Sequence, residues 1–595
     1  MRNPIETASR SNLRLAFFIL VTALLSACTG SGGKVSELSS VDCQANVSSI
    51  AAIQGTGKSS ALQGERHTVR GIVTHIDTAS GLYLEQIMAD MDPHSSDAVF
   101  VISSELPEAV KVGDLLQLSG VVTELDAKNG KGGMTSLAQV TIDGFCGHHQ
   151  PLPAHAIQLP LSNDERESLE AMRLEITQDL TVTDVYQLYK RRQLNASAFG
   201  RLVIPTEISE PGEQARKLSG QNRQRQIVIQ LPLDPLNQGI SVKTETKRVG
   251  DQIFTLSGVL GQTQGRYLLT STEPIQFSLY QDQALPGKTS RLRVMGFNLL
   301  NYFNGDGKQG GFPTERGAAS HTDFIQQRAR LVNAIKLSGA DIVAVEEMEN
   351  DGYGPDSAIA DLTGALNAAF SGEHWQFSRP ISERLGDDVI SVGILYQSNR
   401  VKTVGPAVSS NAEAFSKLSR RPLAQRFLDL ESGGEFLLAI NHFKSKGSCP
   451  KVVAGSSNPN ANNKDGQGCW NQARVEAADA VADWLNSLRN ISAVGDMLML
   501  GDFNSYRQED PIRRLKSRGW TEMVEAFKPS ENSSYVYWGQ SGTLDYAFAS
   551  PELKDKVKMA WIWNINSPFS PDHPYSEGDY HRSSDHDPVI VEIDL

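Results

Sequence analysis

Acidic, amide and histidine side chains stand at the ends of six short apolar runs in the second half of the chain. They are Asn298; Glu346 and Glu347; Asn441 and His442; Asp502 with Asn504; Asp545; and Asp585 with His586. Taken singly, Asp and Asn are common turn and cap residues at strand exits. Six such sites in one α/β region instead indicate convergence at one sheet edge, where carboxylate and amide oxygens can hold a hard divalent cation.

The region that must position these residues alternates short apolar runs with helical stripes. Runs typical of strands occupy residues 291–298, 342–345, 390–396, 436–441, 497–500, 544–549 and 589–593. The spacing of apolar residues predicts helices over residues 324–338, ending at Gly339, and over residues 474–488. Strands with helices between them predict one α/β sandwich over residues 288–595.

The preceding region is rich in β patterns. The motif V-G-D followed by L-S-G-V begins at Val112 and again at Val249, which are 249 − 112 = 137 residues apart. We therefore expect two small β-barrel modules, at residues 47–150 and 160–280, and the pattern resembles the OB-fold. Such barrels often bind single-stranded nucleic acid, but aromatic residues are sparse in the first module, so a scaffolding role stands as the alternative.

The N-terminal segment predicts an exported protein. Residues 1–27 carry three arginines before the apolar run 15–25, which is typical of a secretory signal and too short for a permanent membrane helix. The run ends in Leu25-Ser26-Ala27-Cys28, which resembles a bacterial lipobox. The resemblance implies cleavage before Cys28, a lipid on its sulfur, and anchoring in the outer membrane of a Gram-negative bacterium; an ordinary signal peptide is the alternative. Residues 28–46 then form a tether rich in Gly and Ser.

Four cysteines remain once Cys28 carries a lipid: Cys43, Cys146, Cys449 and Cys469. An even number in an oxidising compartment predicts two disulfides, and four cysteines allow three pairings. Cys449 with Cys469 would close a loop of 469 − 449 = 20 positions, and Cys43 with Cys146 would then bracket the first β module. The chain has no Cys-x-x-Cys spacing that would favour a zinc site.

Several motifs of the α/β region match a known superfamily in their order along the chain. They are Asn298; Asp341-Ile342-Val343 with Glu347; Asn441-His442; Gly501-Asp502-Phe503-Asn504; Leu544-Asp545-Tyr546; and Ser584-Asp585-His586-Asp587-Pro588. Together they resemble the endonuclease/exonuclease/phosphatase superfamily, whose DNase I-like fold is a four-layer α/β sandwich. The longer strings at 347–354, 441–447 and 465–471 are similar to secreted bacterial nucleases of the extracellular ExeM/NucH type.

The resemblance implies a role for each of these side chains. Asn298, Glu347 and Asp585 would bind the metal ion, Mg²⁺, with Mn²⁺ or Ca²⁺ as alternatives. His586 would be the general base, and Asp545 would accept its other N–H. The remaining roles are orientation of the attacking water by Asp502, a hydrogen bond from Asn504 to the phosphoryl oxygen, donation by His442 to a non-bridging oxygen, and substrate contacts by Lys444 and Arg474.

The expected activity is therefore metal-dependent hydrolysis of extracellular DNA, with RNA as an alternative substrate, leaving 5′-phosphate ends. A formal net charge of −13 over 595 residues excludes a chain that is basic over its whole surface. A local basic wall near His442 is expected from Arg420, Arg421, Arg426, Lys444, Lys446 and Arg474. Two alternatives remain: a phospholipase C-like or phosphomonoesterase enzyme, and a non-catalytic surface protein that binds nucleic acid. The sequence predicts no protein partner.

Overall fold

The computed structural model describes Cys43 and residues 46–77, 79–103, 106–126, 133–232, 247–263, 265–281, 285, 287–290, 292–370, 372, 374–452, 457–528 and 533–595. The predicted signal peptide, Cys28 and most of the predicted tether lie outside these residues. Within the described ranges, no helix combines the length and the apolar character needed to cross a membrane.

The first module is a closed five-stranded barrel. Its elements are α1 (Ile50–Gln54), β1 (Arg66–Asp77), β2 (Gly81–Glu85), β3 (Ala98–Ile102), β4 (Asp114–Leu125) and β5 (Met134–His148). The strand order is β1-β2-β3-β5-β4, and only β3 and β5 pair in parallel. Apolar side chains from all five strands fill the barrel. A disulfide between Cys43 and Cys146 ties the residue before the barrel to its last strand, which confirms this pairing.

The second module is built on a nine-stranded sheet. Its elements are β6 (His155–Ile157), α2 (Asn163–Glu167), β7 (Arg173–Ile176), β8 (Leu180–Asp184), α3 (Leu188–Arg191), β9 (Gln193–Ala198), β10 (Leu202–Val203), α4 (Pro205–Ile208), α5 (Glu213–Arg225), β11 (Gln226–Gln230), β12 (Gln252–Ile253), β13 (Leu256–Thr263), β14 (Arg266–Ser271) and β15 (Phe277–Ser278). The sheet order is β15-β12-β8-β9-β11-β14-β13-β7-β6, with β10 in another sheet.

The two modules share a strand order. In the second, β7 and β8 follow each other closely in sequence, as do β12 and β13, and each pair occupies the place of one interrupted strand. The neighbours β8-β9-β11-β14-β13-β7 then follow the order of the first barrel, including the parallel pair β11 with β14. The repeated V-G-D motif lies just before β4 in one module and just before β12 in the other. The second module thus keeps the strand order of the first, although its interrupted strands form a nine-stranded sheet, and the small barrel expected there stays a prediction.

The C-terminal region holds two further sheets and the longer helices. Its elements are β16 (Leu292–Tyr302), α6 (His321–Ser338), β17 (Ile342–Glu349), α7 (Ala358–Ala369), β18 (Trp375–Phe377), β19 (Ile390–Gln397), β20 (Val401–Thr403), β21 (Val408–Ser409), β22 (Leu423–Asp429), β23 (Glu435–His442), α8 (Asn471–Ser492), β24 (Met497–Asp502), α9 (Asp510–Ser517), β25 (Thr521–Glu522), α10 (Met523–Phe527), β26 (Tyr535–Tyr537), β27 (Gln540–Gly542), β28 (Asp545–Ala549), β29 (Val557–Ile562) and β30 (Val589–Ile593).

These elements form a four-layer sandwich. One sheet has the order β18-β19-β17-β16-β30-β29, and the other has β20-β22-β23-β24-β28-β25, with β21 beside β22. The largest apolar core lies between the sheets. A second core packs α6 and α7 on the outer face of the first sheet, and a third packs α8 and α9 on the outer face of the other. The α/β architecture predicted for this region is therefore present.

Local sequence explains where the sandwich elements begin and end. Helix α6 starts after Ser320, whose hydroxyl accepts a hydrogen bond from the Asp323 backbone N–H at 3.2 Å, and it ends at Gly339 with a φ of 63°. Strand β19 is buried along its whole length, because helices cover one face and the second sheet covers the other. The strand predicted to begin at Leu544 begins instead at Asp545, which places that carboxylate inside the sheet.

Candidate active site

Strand register brings the polar strand ends to one edge of the sandwich. In the first sheet, Asn298 lies opposite Glu346 in the parallel pair β16 with β17. In the second sheet, His442 lies opposite Asp502 in the parallel pair β23 with β24, and Asp502 lies opposite Asp545 in the antiparallel pair β24 with β28. The predicted convergence at one sheet edge is thus present.

His586 and Asp545 form the central pair of this edge. The Nδ1 atom of His586 lies 2.8 Å from Oδ2 of Asp545, and both side chains are buried. The ring of Tyr535 packs against the imidazole, with 4.6 Å between ring centroids. Burial alone would lower the pKa of His586, but the nearby carboxylates of Asp545 and Asp502 hold that pKa well above its usual range.

Asp502 is the hub of a second set of contacts. Its Oδ1 accepts a hydrogen bond from the Asn504 backbone N–H at 2.8 Å, and its Oδ2 accepts one from the Asn504 side chain at 3.0 Å. The Nε2 atom of His442 lies 3.6 Å from the same Oδ2. Burial, with repulsion from Asp545, raises the pKa of Asp502 to about 7. Burial and the charge of Arg420 lower the pKa of His442 well below its usual range, so its imidazole is neutral.

Glu347 reaches the site through an unusual backbone. Its φ is 59°, in the left-handed region that non-glycine residues seldom adopt, and the pairing of β17 with β19 shifts register at this point. Its Oε2 accepts hydrogen bonds from the Asn301 backbone N–H at 3.0 Å and from the Asn301 side chain at 2.7 Å. Burial and repulsion from Asp585 raise the pKa of Glu347. Such strained residues cluster at functional sites.

The chemistry of this cluster fits a divalent cation. Burial raises the pKa of Glu346 well above its usual range, and repulsion from Asp545 and Asp502 adds to the effect. Within the part of the chain that the structure describes, Oε2 of Glu346 and Oδ1 of Asn441 are buried without a hydrogen-bond donor. Ligand atoms of Asp502, Asp545 and His586 lie within 4.8 Å of one another, whereas the expected metal ligands Asn298, Glu347 and Asp585 are not part of that group. A site with this excess of buried acceptor oxygens lacks positive charge, which a bound metal ion would supply.

The structure corrects the prediction that Arg474 contacts substrate. The residue is completely buried in α8, and its guanidinium donates hydrogen bonds to Oγ of Ser505 at 3.0 Å and to backbone carbonyls of Cys469, Gln467 and Lys444 at 2.8, 3.1 and 3.3 Å. It therefore positions the loop that the Cys449–Cys469 disulfide closes; that disulfide confirms the second pairing.

Of the basic residues predicted to lie near His442, only Arg420 and Lys446 line the cleft of the described structure. Lys444 lies over the ring of Trp470, with 5.4 Å from Nζ to the centroid, and Arg421 and Arg426 bind Asn411 and Glu435 elsewhere. A cleft of about 1100 Å³ opens at the catalytic edge and includes Glu347, His442, Asp502, Asn504, Asp585 and His586. The basic residues that line it are Arg216, Arg223, Arg316, Arg420, Lys446 and Lys464.

Comparison with known proteins identifies the region that carries this site. The model of the endonuclease/exonuclease/phosphatase family matches residues 297–586. Residues 297–586 are an endonuclease/exonuclease/phosphatase domain. Members of this family are hydrolases that act on phosphodiester bonds and typically depend on a divalent metal. No curated protein sequence matches the chain.

Several solved structures are similar to about half of the chain. A mannosyl-6-phosphatase of Bacteroides thetaiotaomicron is 16% identical, with coverage of 51% of this chain and 100% of the other, and a TM-score of 0.35. The human Nocturnin catalytic domain with bound sulfate is 15% identical, with coverage of 50% and 93% and a TM-score of 0.32. TDP2 of D. rerio with a single-strand DNA product is 14% identical, with coverage of 50% and 97% and a TM-score of 0.31.

Three participants were not among the residues predicted from the sequence. Asn301 holds Glu347, Tyr535 covers His586, and Ser534 accepts the backbone N–H groups of Leu544 and Asp545 at 2.9 and 3.1 Å. Asn301 follows Asn298 by three residues, so an amide repeated at a strand end was an available signal. Nothing local distinguishes Tyr535 or Ser534, because their roles depend on contacts with His586 and with the start of β28, which are distant in the chain.

Proposed function

We propose that the protein is a metal-dependent nuclease that hydrolyses phosphodiester bonds of extracellular DNA and leaves 5′-phosphate ends. The observation that carries the proposal is the buried His586–Asp545 pair beside Asp502; His586 and Asp502 line the large cleft. An acceptor on one imidazole nitrogen orients the ring, so that the other nitrogen can take a proton from water.

Each residue of the edge has a part in this reaction. Neutral His586 accepts the proton of the attacking water, and Asp545 stabilises the imidazolium that results. The water oxygen bonds to phosphorus as the P–O3′ bond breaks, and the leaving oxygen becomes a 3′-hydroxyl. Asp502 orients that water, and Asn504 donates to the phosphoryl oxygen. The lowered pKa of His442 keeps its imidazole neutral, and this ring donates one N–H to a non-bridging oxygen. Asn298, Glu347 and Asp585 would hold the metal ion, which supplies charge neutralisation at the phosphate when bound.

We further propose that the enzyme is exported and anchored to a membrane by a lipid. Residues 1–27 would be a lipoprotein signal and Cys28 the acylated residue, so that the protein is anchored in the outer membrane of a Gram-negative bacterium. Two disulfides support an oxidising compartment. Residues 47–150 and 160–280 would be OB-like modules, supported by their shared strand order, and residues 288–595 the catalytic domain.

The experiment compares the purified protein with its His586→Ala variant on supercoiled plasmid DNA, with Mg²⁺ and with EDTA. We expect nicking with Mg²⁺ that is absent in EDTA and absent in the variant. Parallel reactions with Mn²⁺, Ca²⁺ and RNA define the metal and the substrate. If the folded protein cleaves no nucleic acid with any of these ions but releases phosphate from a phosphomonoester or from sphingomyelin, the nuclease proposal is wrong.

A further inference from the structure

The second β module is joined directly to both sides of the catalytic cleft. Strand β10 pairs in parallel with β27, in a three-stranded sheet that ends with β26. The Asn222 side chain of α5 donates to Oε1 of Gln540 at 2.7 Å. At the other side, the backbone N–H of Gly212 donates to the Asp465 carbonyl at 2.7 Å, and Oγ1 of Thr206 donates to Oε1 of Glu509 at 2.8 Å. These bonds make α5 part of the cleft wall.

Helix α5 turns its cationic face toward the cleft. Arg216, Ser219 and Arg223 all line it, and their spacing of three and four residues places them on one side of the helix. Both arginines are exposed, and neither forms an ion pair with a carboxylate of the described residues; Nη1 of Arg223 donates to Oγ of Ser219 at 2.9 Å. By contrast, the acidic residues in the cleft lining are Glu347, Asp502 and Asp585, all at the catalytic edge.

Helix geometry sets the size of the ligand that this wall fits. Arg216 and Arg223 are seven positions apart, which corresponds to roughly 10 Å along the helix axis at 1.5 Å per residue. That spacing allows the two arginines to contact different phosphates of one nucleic acid strand. Tyr537 at the end of β26 also lines the cleft and is 53% exposed, so its ring is available for a base to stack on.

We propose that α5 of the second module and Tyr537 form the outer wall of a polynucleotide groove, in which Arg216 and Arg223 bind backbone phosphates beyond the one that is cleaved. This inference rests on the proposed nuclease function and deepens it. It assigns the second module a direct share in substrate binding and makes the enzyme selective for strands several nucleotides long over short phosphate esters.

The test measures binding and cleavage separately. Binding of a fluorescein-labelled 20-nucleotide single-stranded DNA is followed by anisotropy with Mg²⁺, in the His586→Ala background that prevents cleavage. The double variant Arg216→Gln/Arg223→Gln is compared with Lys217→Gln, an exposed cation on the same helix that does not line the cleft. A third variant, Tyr537→Leu, tests stacking.

We expect the double variant to bind about ten-fold or more weakly, because it loses two charged phosphate contacts. Its slope of log K against log salt concentration should fall by about 1.4, at roughly 0.7 per contact with a single strand. In the catalytically active background, its preference for the 20-mer over a dinucleotide should fall as well. Lys217→Gln should match the parent protein in all three measurements.

The outcomes separate the two proposals. If the double variant and Lys217→Gln show the same affinity and salt slope, α5 does not bind the strand and this inference is wrong, whether or not the enzyme cleaves DNA. If the parent protein cleaves no nucleic acid, the proposed function fails, while the anisotropy measurement still decides whether α5 contacts a strand. A loss of affinity in Tyr537→Leu with an unchanged salt slope would identify stacking as an uncharged part of the groove.

Discussion

Substitution of Arg474 distinguishes a residue that positions the active site from one that touches substrate. Its guanidinium makes four hydrogen bonds, to Oγ of Ser505 and to three backbone carbonyls, and none of its surface is exposed. Arg474→Met would remove the guanidinium from all four acceptors, of which the Gln467 carbonyl keeps a hydrogen bond from Nζ of Lys446 at 2.8 Å, and would remove a buried cation from the vicinity of Glu509 and Asp502.

The size of the effect follows from those contacts. Hydrogen bonds to a charged donor contribute about 1.5–3 kcal/mol each, but Met also removes the cost of burying a guanidinium, which the lowered pKa of Arg474 reflects. We therefore expect a loss of about 3–5 kcal/mol in the free energy of unfolding, the range typical of one partner removed from a buried charge network. Arg474→Lys keeps the charge but not the planar fork, so it should lose about half as much.

The assay is urea unfolding followed by tryptophan fluorescence, together with KM and kcat on DNA. Arg514→Met is the matched control, because Arg514 is an exposed helix arginine whose pairing with Asp479 at 2.7 Å is screened by solvent and should contribute little to stability. A positioning role lowers stability and kcat together. If Arg474→Met unfolds within about 1 kcal/mol of the parent protein and instead raises KM ten-fold, the reasoning is refuted and Arg474 contacts substrate.

Three further predictions concern the site and its supports. Asp545→Asn should lower kcat at least about 100-fold and move the acid limb of the pH–rate profile to lower pH, because the carboxylate raises the pKa of His586; an unmoved limb would contradict this. Burial raises the pKa of Glu522 to about 7, whereas its pKa in the unfolded chain is near 4.5. Ionisation of Glu522 therefore lowers the stability of the folded protein as the pH rises from about 4.5 through 7. The stability of Glu522→Gln relative to the parent protein should therefore rise between pH 5 and pH 8, by up to about 3 kcal/mol, and melting temperatures measured across this range would show it. A difference that stays constant with pH would contradict this cause. The Cys449→Ser/Cys469→Ser variant should lose about 3 kcal/mol of stability for its 20-residue loop and become sensitive to proteolysis between the two positions, which peptide mapping would show.

Local pattern was enough to predict most of the C-terminal sandwich. Alternation between apolar runs and helical stripes marked strands β16, β17, β19, β23, β24 and β30, and Gly339 marked the end of α6, because caps and periodicity act over a few residues. The polar residues at the strand ends were visible for the same reason. Their convergence was expected because a strand register brings neighbouring strand ends together.

Local sequence pattern could not predict whether a charged side chain is buried or faces the cleft. Arg216 and Arg474 are both helix arginines, and the family resemblance predicted a substrate contact for Arg474. Segments distant in the chain decide where each arginine lies: the disulfide loop and Ser505 enclose Arg474, whereas the contacts of Gly212 with Asp465 and of Asn222 with Gln540 hold α5 against the cleft that Arg216 lines. The types and order of the residues specify the elements and the chemistry available to them. Packing between remote segments determines which cations are buried as supports and which remain in solvent to meet a ligand, because burial depends on neighbours that no local pattern contains.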